Sequence, residues 1–365
     1  MIDFSIGEDL ELVAETAQRF SDGRLMPAQR DFETRRAISD EVRREAHEIG
    51  FDRIDWPEAC GGADMGAIAR AVALERLATG CPGAALALLP LGSVAHALLA
   101  FGGDAVLSKQ VETLANLPGA RAVLVFDARG EWQGDDEQLS GIAPWVPTDR
   151  VDLLAVLSRD GLRLVTRGIA VERVPGSGLR TAGASQVRLE RAPVDVAWTD
   201  PVASALALAH ARVHVAALIV GQMHAAADYS RKYALDRTAF GRPIAHHQAM
   251  AFLISDMHSA VDAARQLIYE AAWRLQAGHP ATEAAASAFI EAAESALFIG
   301  SNAVQILGGP GFMRDYPVEK HMRELRALGL LLGGSDAARD DAFGSAEASA
   351  SHPFVSFLCT DTLGA

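Results

Sequence analysis

A chain of 365 residues, half of them hydrophobic, is long enough to bury a large core and to divide into two or three packed units. Its formal net charge of -14 argues against nucleic acid as a partner and gives no basis for adhesion to an anionic membrane surface. Cys60, Cys81 and Cys359 are few, odd in number and far apart, so neither a disulfide framework nor zinc spacing is present and a reducing, cytoplasmic setting is expected.

The amino terminus, MIDFSIGEDLELV, lacks the positive flank and apolar core of a signal peptide, so export is not indicated. From Glu8 to Glu48 apolar and charged residues alternate at helical spacing, with Pro27 as an early interruption. IGFDRIDWPEACGGADMG reads as a turn-rich connector, and ARAVALERLATG as a further helix stopped by Gly80. Gly83 to Gly103 is nearly free of charge and long enough to raise the question of a membrane span. Pro90, His96, several glycines and the absence of flanking basic residues favour a pair of core helices instead.

Near Arg121 the texture changes to short β-rich runs, AVLVF, DLLAVL, LRLVT and GIAVERV, separated by Gly, Asp and Pro clusters. Helical periodicity returns in HARVHVAALIVGQMHAAADYSRK, which places a boundary near Pro201. Beyond RTAFGRPIAHHQ, apolar residues recur every three or four positions through Met250, Leu253, Ile254, Met257, Val261, Ala264, Leu267, Ile268, Ala271 and Leu275, the signature of one long amphipathic helix. The Gly308-Gly309-Pro310-Gly311 run then breaks a helical segment, and its glycines allow backbone amides to approach a ligand closely. This texture divides the chain into a helical stretch 1–120, a β-rich stretch 121–200 and a second helical stretch 201–336, an α+β architecture. Residues 337–365 are rich in small side chains and are expected to form a tail, disordered in part.

The carboxyl-terminal half resembles the helical bundle of the acyl-CoA dehydrogenase family of flavoproteins. That family's R-x-x-F-G-x-P-I-x-x-x-Q falls on Arg237, Phe240, Gly241, Pro243, Ile244 and Gln248, and its L-x-D-M on Ile254, Asp256 and Met257. Its Q-x-x-G-G-x-G-[YF] falls on Gln305, Gly308, Gly309, Gly311 and Phe312, and its Y-P-x-E-x-x-x-R-[DE] on Tyr316, Pro317, Glu319, Arg323 and Glu324. The connector with Pro57, Glu58, Gly61 and Gly62 is similar to the family's N-terminal P-E-x-x-G-G loop. No one of these matches would suffice, but their number and order are specific.

The resemblance casts 1–120 as an N-terminal helical domain, 121–200 as a shortened middle β domain and 201–336 as a C-terminal four-helix bundle. It implies FAD as cofactor and an acyl-CoA thioester as substrate, with removal of an α proton by a Glu and departure of the β hydrogen as hydride. It also implies an electron-transfer flavoprotein or similar acceptor, and assembly with itself or with a second chain of the same kind. Arg237 suits a pyrophosphate, since its planar, permanently charged guanidinium donates in a fork. Gly308, Gly309 and Gln305 suit the nucleotide half of FAD, and Phe240 and Gln248 belong to the same motif. Arg212 stands where family members place an Arg near bound acyl-CoA; a solvent-facing or salt-bridged Arg is the competing reading.

Three departures weaken the catalytic part of the resemblance. The family's [LM]-T-E-P-x-x-G-S-D loop is missing from VFDARGEWQGDDEQLSG, and W-I-T-N survives at most as Trp145-Val146-Pro147-Thr148, where a packing Trp explains the pattern as well. Counted without gaps, the family's base falls on Leu332, and the alternative location, just before Arg212, is Ala211. Asp315, Glu324 and Asp336 are nearby acids, but capping or surface pairing accounts for them. The catalytic residue is therefore unknown.

No metal site is expected: His246 and His247 diverge by roughly a hundred degrees on a helix, and no acid or Cys completes a set with His210 and His214. Three readings follow. The chain is one subunit of a dehydrogenase completed by a partner chain, as in heterotetrameric relatives from bacterial steroid breakdown, or a self-sufficient dehydrogenase with an unidentified base, or a non-enzymatic scaffold.

Overall fold

The computed structural model describes residues 7–115, 117 and 119–348. It opens with α1 (Glu8–Phe20), α2 (Gln29–Arg35), α3 (Asp40–Ile49), α4 (Gly66–Gly80), α5 (Pro82–Leu88) and α6 (Val94–Ala115), the last bent at Gly103. Ser39 caps α3 by accepting from the Val42 N–H at 3.3 Å, and Gly50 ends it in the left-handed region. The apolar stretch that raised the membrane question forms α5 and the first part of α6, packed into the core as expected.

The strands are β1 (Ala122–Phe126), β2 (Gln133–Gly134), β3 (Gln138–Val146), β4 (Leu153–Leu157), β5 (Gly161–Val165), β6 (Ile169–Arg173), β7 (Ser185–Pro193) and β8 (Val196–Thr199). One sheet has the order β1-β4-β5-β8 and the other β2-β3-β7-β6; only β1 and β4 run parallel. Strand β4 is buried on both faces, and its period of two decides what each side chain meets. Leu154 and Val156 join the core between the sheets with Val187 and Leu189, whereas Leu153, Ala155 and Leu157 turn toward Leu98 and Leu107 of α6.

Helix α7 (Pro201–Asp236) is the central pillar, and its start follows from local chemistry: Pro201 fixes the first turn and the Asp200 carboxylate accepts from the N–H groups of Val202 and Ala203 at 2.9 and 3.1 Å. It is long and apolar enough to cross a membrane, but 78% of its most apolar window is buried inside the fold. A short hairpin, β9 (Thr238–Ala239) and β10 (Arg242–Pro243), leads to α8 (Gln248–Gln276), α9 (Thr282–Leu307), α10 (Val318–Leu328) and α11 (Gly334–Ala348). The face of α8 read from periodicity is the buried one: Ile254, Met257, Val261, Ala264, Ile268, Ala271 and Leu275 all lie in the core.

The segment expected as a loose tail departs from that expectation through residue 348. Helix α11 packs on α9, burying Ala337, Ala338 and Ala342, because a face of small side chains lets two helices approach closely. Residues 349–365 lie outside the described residues.

The tightest seam is that of α4 against α7. A Cβ added to Gly221 would fall on the Glu75 carbonyl and 2.9 Å from Ala78 Cβ, so the two backbones touch there. The Glu75 carboxylate is buried alongside, accepting from Arg265 Nε at 2.9 Å and Tyr269 Oη at 3.0 Å of α8. Replacing Gly221 by Val should lower unfolding stability by about 2–3 kcal/mol or more, since backbone cannot yield as a side chain would. The control is Gly23→Ala, where a Cβ meets nothing within 4 Å. Urea midpoints followed by circular dichroism check the pair, with the Val variant strongly shifted and the Ala variant close to the parent chain.

Candidate functional site

Two cavities meet where the helical and strand layers join. The first, with about 740 Å³ of empty space, lies between the end of α5, the start of β1, the middle of α7 and the loop after α10. The second, about 1200 Å³, lies between the loop after β1, the end of β3 and the start of α11. They share a wall of Val123, Leu124, Pro147, Leu331 and Leu332. Trp145 lines the second cavity, and Thr148 the first, so the sequence element around Trp145 stands at their junction rather than in a distant core.

Leu332 is held there by an unusual backbone. It lies at φ 56, ψ 30, the left-handed region that disfavours L side chains, and Gly333 and Gly334 follow at φ 81 and 70. The loop thereby directs an aliphatic side chain into the wall shared by both cavities. Among the described residues no carboxylate lines the first cavity. Asp127, Glu131, Asp336 and Asp340 line the second: Asp127 accepts from the Glu131 and Trp132 N–H groups at 2.8 and 3.2 Å, Asp336 pairs with Arg339 at 3.1 Å, Asp340 lies 3.8 Å from Arg159, and Glu131 is turned to the exposed rim. Ala211 is fully buried, and Glu324 is buried against Lys320 at 2.6 Å.

Arg212 sits elsewhere than the resemblance implied. It is wholly buried, donates to Ala337 O at 3.3 Å, and pairs with Asp341 of α11. It lines neither cavity. The physical reason is α11 itself: once residues 334–348 fold onto the bundle, they bring a carboxylate to the guanidinium, which is the salt-bridged reading of this residue.

The residues expected to hold a dinucleotide are partly assembled in a third, open groove of about 1270 Å³ between the ends of α7 and α9. Arg237, Gly308 and Gly309 line it together with Lys232, Tyr229 and Tyr233. Arg237 caps α7, its N–H bound to Tyr233 O at 2.8 Å, and a Cβ at Gly308 or Gly309 would meet nothing within 4 Å, so the backbone there is open to a ligand. Arg237 beside exposed glycine backbone suits a diphosphate and stacked ring, while Lys232 is shared with Asp228 at 2.7 Å and Asp236 lines the same groove. Gln248 and Gln305 are exposed on α8 and α9 without lining the groove. Phe240 is 95% exposed at the tip of the β9–β10 hairpin, where Phe240 and Gly241 both have positive φ in a two-residue turn, and its ring stands perpendicular to that of His247, at 6.1 Å between centroids. The groove shares no lining residue with the cavity pair.

Sequence reasoning missed a buried polar array behind the first cavity. Asp55 lies 3.1 Å from Arg70 and 2.8 Å from His96; Arg70 also reaches His210 Nδ1 at 3.0 Å, and the His96 and His210 rings stack at 4.7 Å. The i, i+4 spacing of His210 and His214 was the available signal, but its partners come from α4, α6 and the connector before them. Burial and the Arg70 guanidinium keep His214 neutral, its pKa down to about 3, and burial does the same to His210.

Residues 7–117 match the family model "Acyl-CoA dehydrogenase, N-terminal domain" and residues 201–342 match "Acyl-CoA dehydrogenase, C-terminal domain". The chain is similar to the probable acyl-CoA dehydrogenase YngJ of Bacillus subtilis, at 27% identity over 93% of this chain and 98% of that protein. It is 28% identical to the 3-(aryl)acrylate reductase of Clostridium sporogenes, over 90% of this chain and 96% of that one. Its fold is similar to that of butyryl-CoA dehydrogenase from Megasphaera elsdenii, with a TM-score of 0.83 at 23% identity over 95% of this chain and 100% of the other.

A histidine whose folded-state pKa is depressed binds fewer protons folded than unfolded. Its contribution to stability is therefore complete above about pH 6.5 and declines as pH falls toward the folded value. His214→Leu should remove about 1.4 kcal/mol per pH unit from the slope of stability against pH between 6 and 4. Urea midpoints at successive pH values read this directly, and equal slopes for the two chains would mean that His214 is not held neutral.

Proposed function

This chain belongs to the acyl-CoA dehydrogenase family of FAD-dependent oxidoreductases, and we propose that within it the chain is a subunit supplying part of the FAD site to a catalytic partner chain. The observation that carries the reading is the wall between the two cavities: the position that ought to present a carboxylate presents Leu332, while the groove around Arg237 keeps that guanidinium and its open glycines.

FAD, when bound, supplies the acceptor for the hydride that leaves the β carbon of the acyl thioester. The chain's own contribution is binding. Arg237 would pair with the pyrophosphate, and the Gly308-Gly309 backbone would let the nucleotide approach. Phe240, Gln248 and Gln305 are exposed around this region and would meet ligand or partner rather than their own core. The groove and the cavity pair have no residue in common, which fits a dinucleotide whose two halves are held by two chains. Leu332, Leu331 and Leu124 can exclude water from the space beside the thioester, but no group on that wall accepts a proton. A dimer or tetramer with a second acyl-CoA dehydrogenase-like chain, an electron-transfer flavoprotein as acceptor and a cytoplasmic location go with this reading.

The competing reading, a self-sufficient dehydrogenase, needs a free carboxylate on the shared wall, and the acids of the second cavity, Asp127, Glu131, Asp336 and Asp340, all lie off the wall it shares with the first. The purified chain alone should therefore fail to oxidise saturated acyl-CoA thioesters with an artificial electron acceptor, and activity should appear when a Glu-bearing family member from the same genome is co-expressed. Turnover by the partner-free chain, lost on mutating an acid in it, overturns the subunit reading.

Arg237→Ala should lower the flavin retained by the assembled complex about ten- to a hundredfold, since a charge-assisted hydrogen bond contributes roughly 1.5–3 kcal/mol. The side chain is exposed, so its removal opens no core cavity. Unchanged flavin absorbance after gel filtration, with an unchanged circular dichroism spectrum, would make Arg237 structural.

A further inference from the structure

His214 lines the first cavity and, with Asp55, Arg70 and His96, a small pocket behind it. It is 3% exposed, and its Nδ1 is buried without a hydrogen-bond partner. The wall around it is mostly aliphatic, with Leu86, Leu89, Leu91, Val215 and Leu332. The other polar side chains there are largely committed. Arg121 donates to the Leu86 and Ala87 carbonyls, and Thr148 Oγ1 donates to Arg150 O at 2.8 Å; the half-buried Ser93 is the exception.

The array behind His214 is closed electrically. Asp55 and Arg70 form a pair at 3.1 Å, and His96 is turned to the same carboxylate, so the array offers no net charge to an anion. Burial disfavours a proton on His214, and the Arg70 guanidinium disfavours it further, so the ring presents one N–H donor and one lone pair. That makes it a poor proton acceptor for carbon acid chemistry and a good partner for a neutral oxygen. A plain alkyl chain filling the cavity would set the imidazole edge that lines it against hydrocarbon, which costs affinity without any compensation.

We propose that His214 is a specificity-determining residue of the acyl cavity, and that the natural thioester carries a hydroxyl or keto oxygen on its acyl part which hydrogen-bonds this imidazole. The proposal rests on the acyl-thioester reading of the site, with the thioester bound in this chain's own cavity although its wall carries no base. It names a substrate class that the family membership does not: an oxygenated acyl group rather than a simple saturated one. The underlying selectivity is that of a site built around a polar group, which rejects the analogue lacking it more strongly than an apolar pocket rejects one that is slightly too large.

The test uses the purified flavin-containing assembly and unreactive CoA thioethers of one chain length, either plain alkyl or bearing a single hydroxyl or keto group at successive carbons beyond the third. Titration calorimetry should find one oxygenated compound bound roughly ten- to a hundredfold more tightly than the plain one. In His214→Leu that preference should fall at least tenfold and the plain compound should gain. His214→Gln, which keeps a donor and an acceptor, should retain part of the preference. Equal binding of all compounds by the parent assembly, or a preference unchanged in His214→Leu, overturns the proposal while leaving the acyl-thioester reading intact. Binding of none of them overturns that reading itself, and the comparison within the parent assembly decides the matter even if a variant fails to fold.

Discussion

A knot of buried and half-buried charges on α10 ties the three layers of this molecule together. Lys320 is fully buried and donates to Glu324 at 2.6 Å and to Cys81 Sγ at 3.3 Å, at the point where α4 passes into α5. One turn around, Arg323 pairs with Glu319 and with Glu33 of α2, both at 2.8 Å, and donates to Ser177 O in the strand domain. Arg30 closes the ring, at 3.0 Å from Glu33 and 2.6 Å from Glu319. Charges taken out of water are tolerated only when every member is paired, so loss of one leaves an uncompensated ion in the interior. The knot therefore demands that the first helices, the strand domain and the bundle be docked together. The loop carrying Leu332 follows α10 directly, and its placement between the two cavities inherits that demand.

How much of this was legible in the chain depended on the range of the forces involved. The face of α8 could be read because a helix packed on one side repeats its apolar residues every three or four positions, and Ile254 to Leu275 do so without interruption. The strands β1, β4, β5 and β6 announced themselves as short β-branched and leucine runs between turn residues. By contrast α11 looked like solvent-exposed filler, because alanine and aspartate carry little pattern and only contact with α9 explains them. The Arg212–Asp341 pair spans 129 positions, and the array around His214 draws on Asp55, Arg70 and His96. Nothing local to those residues encodes their meeting; the first follows from α11 folding onto the bundle, the second from α4 and α6 lying against α7.

The motif residues divide along the same line. Arg237, Gly308 and Gly309 were recognisable because close backbone approach to a phosphate needs particular residue types at particular helix ends, and the fold brings them to one groove. Phe240, Gln248 and Gln305 stand exposed nearby, where their role depends on what lies across from them. Leu332 is the reverse case. Its identity says only that an acid is missing, whereas its left-handed backbone and its position on both cavities show that the loop architecture persists around an inert side chain.

The contact of Gly221 with the Glu75 carbonyl bears on how anything reaches the interior. Backbone resting on backbone leaves α4 and α7 no room to slide, and the Glu75 clamp on Arg265 and Tyr269 fixes α8 to the same seam. The helical side of the first cavity is thus a rigid floor, unable to breathe apart by rotation of the two helices. On the opposite side lies the short stretch from Leu330 to Gly334, whose backbone passes through three successive residues at positive φ, Leu332, Gly333 and Gly334. A bulky acyl group in the cavity pair would therefore be pressed between that fixed floor and the Leu331 and Leu332 side chains that both cavities share.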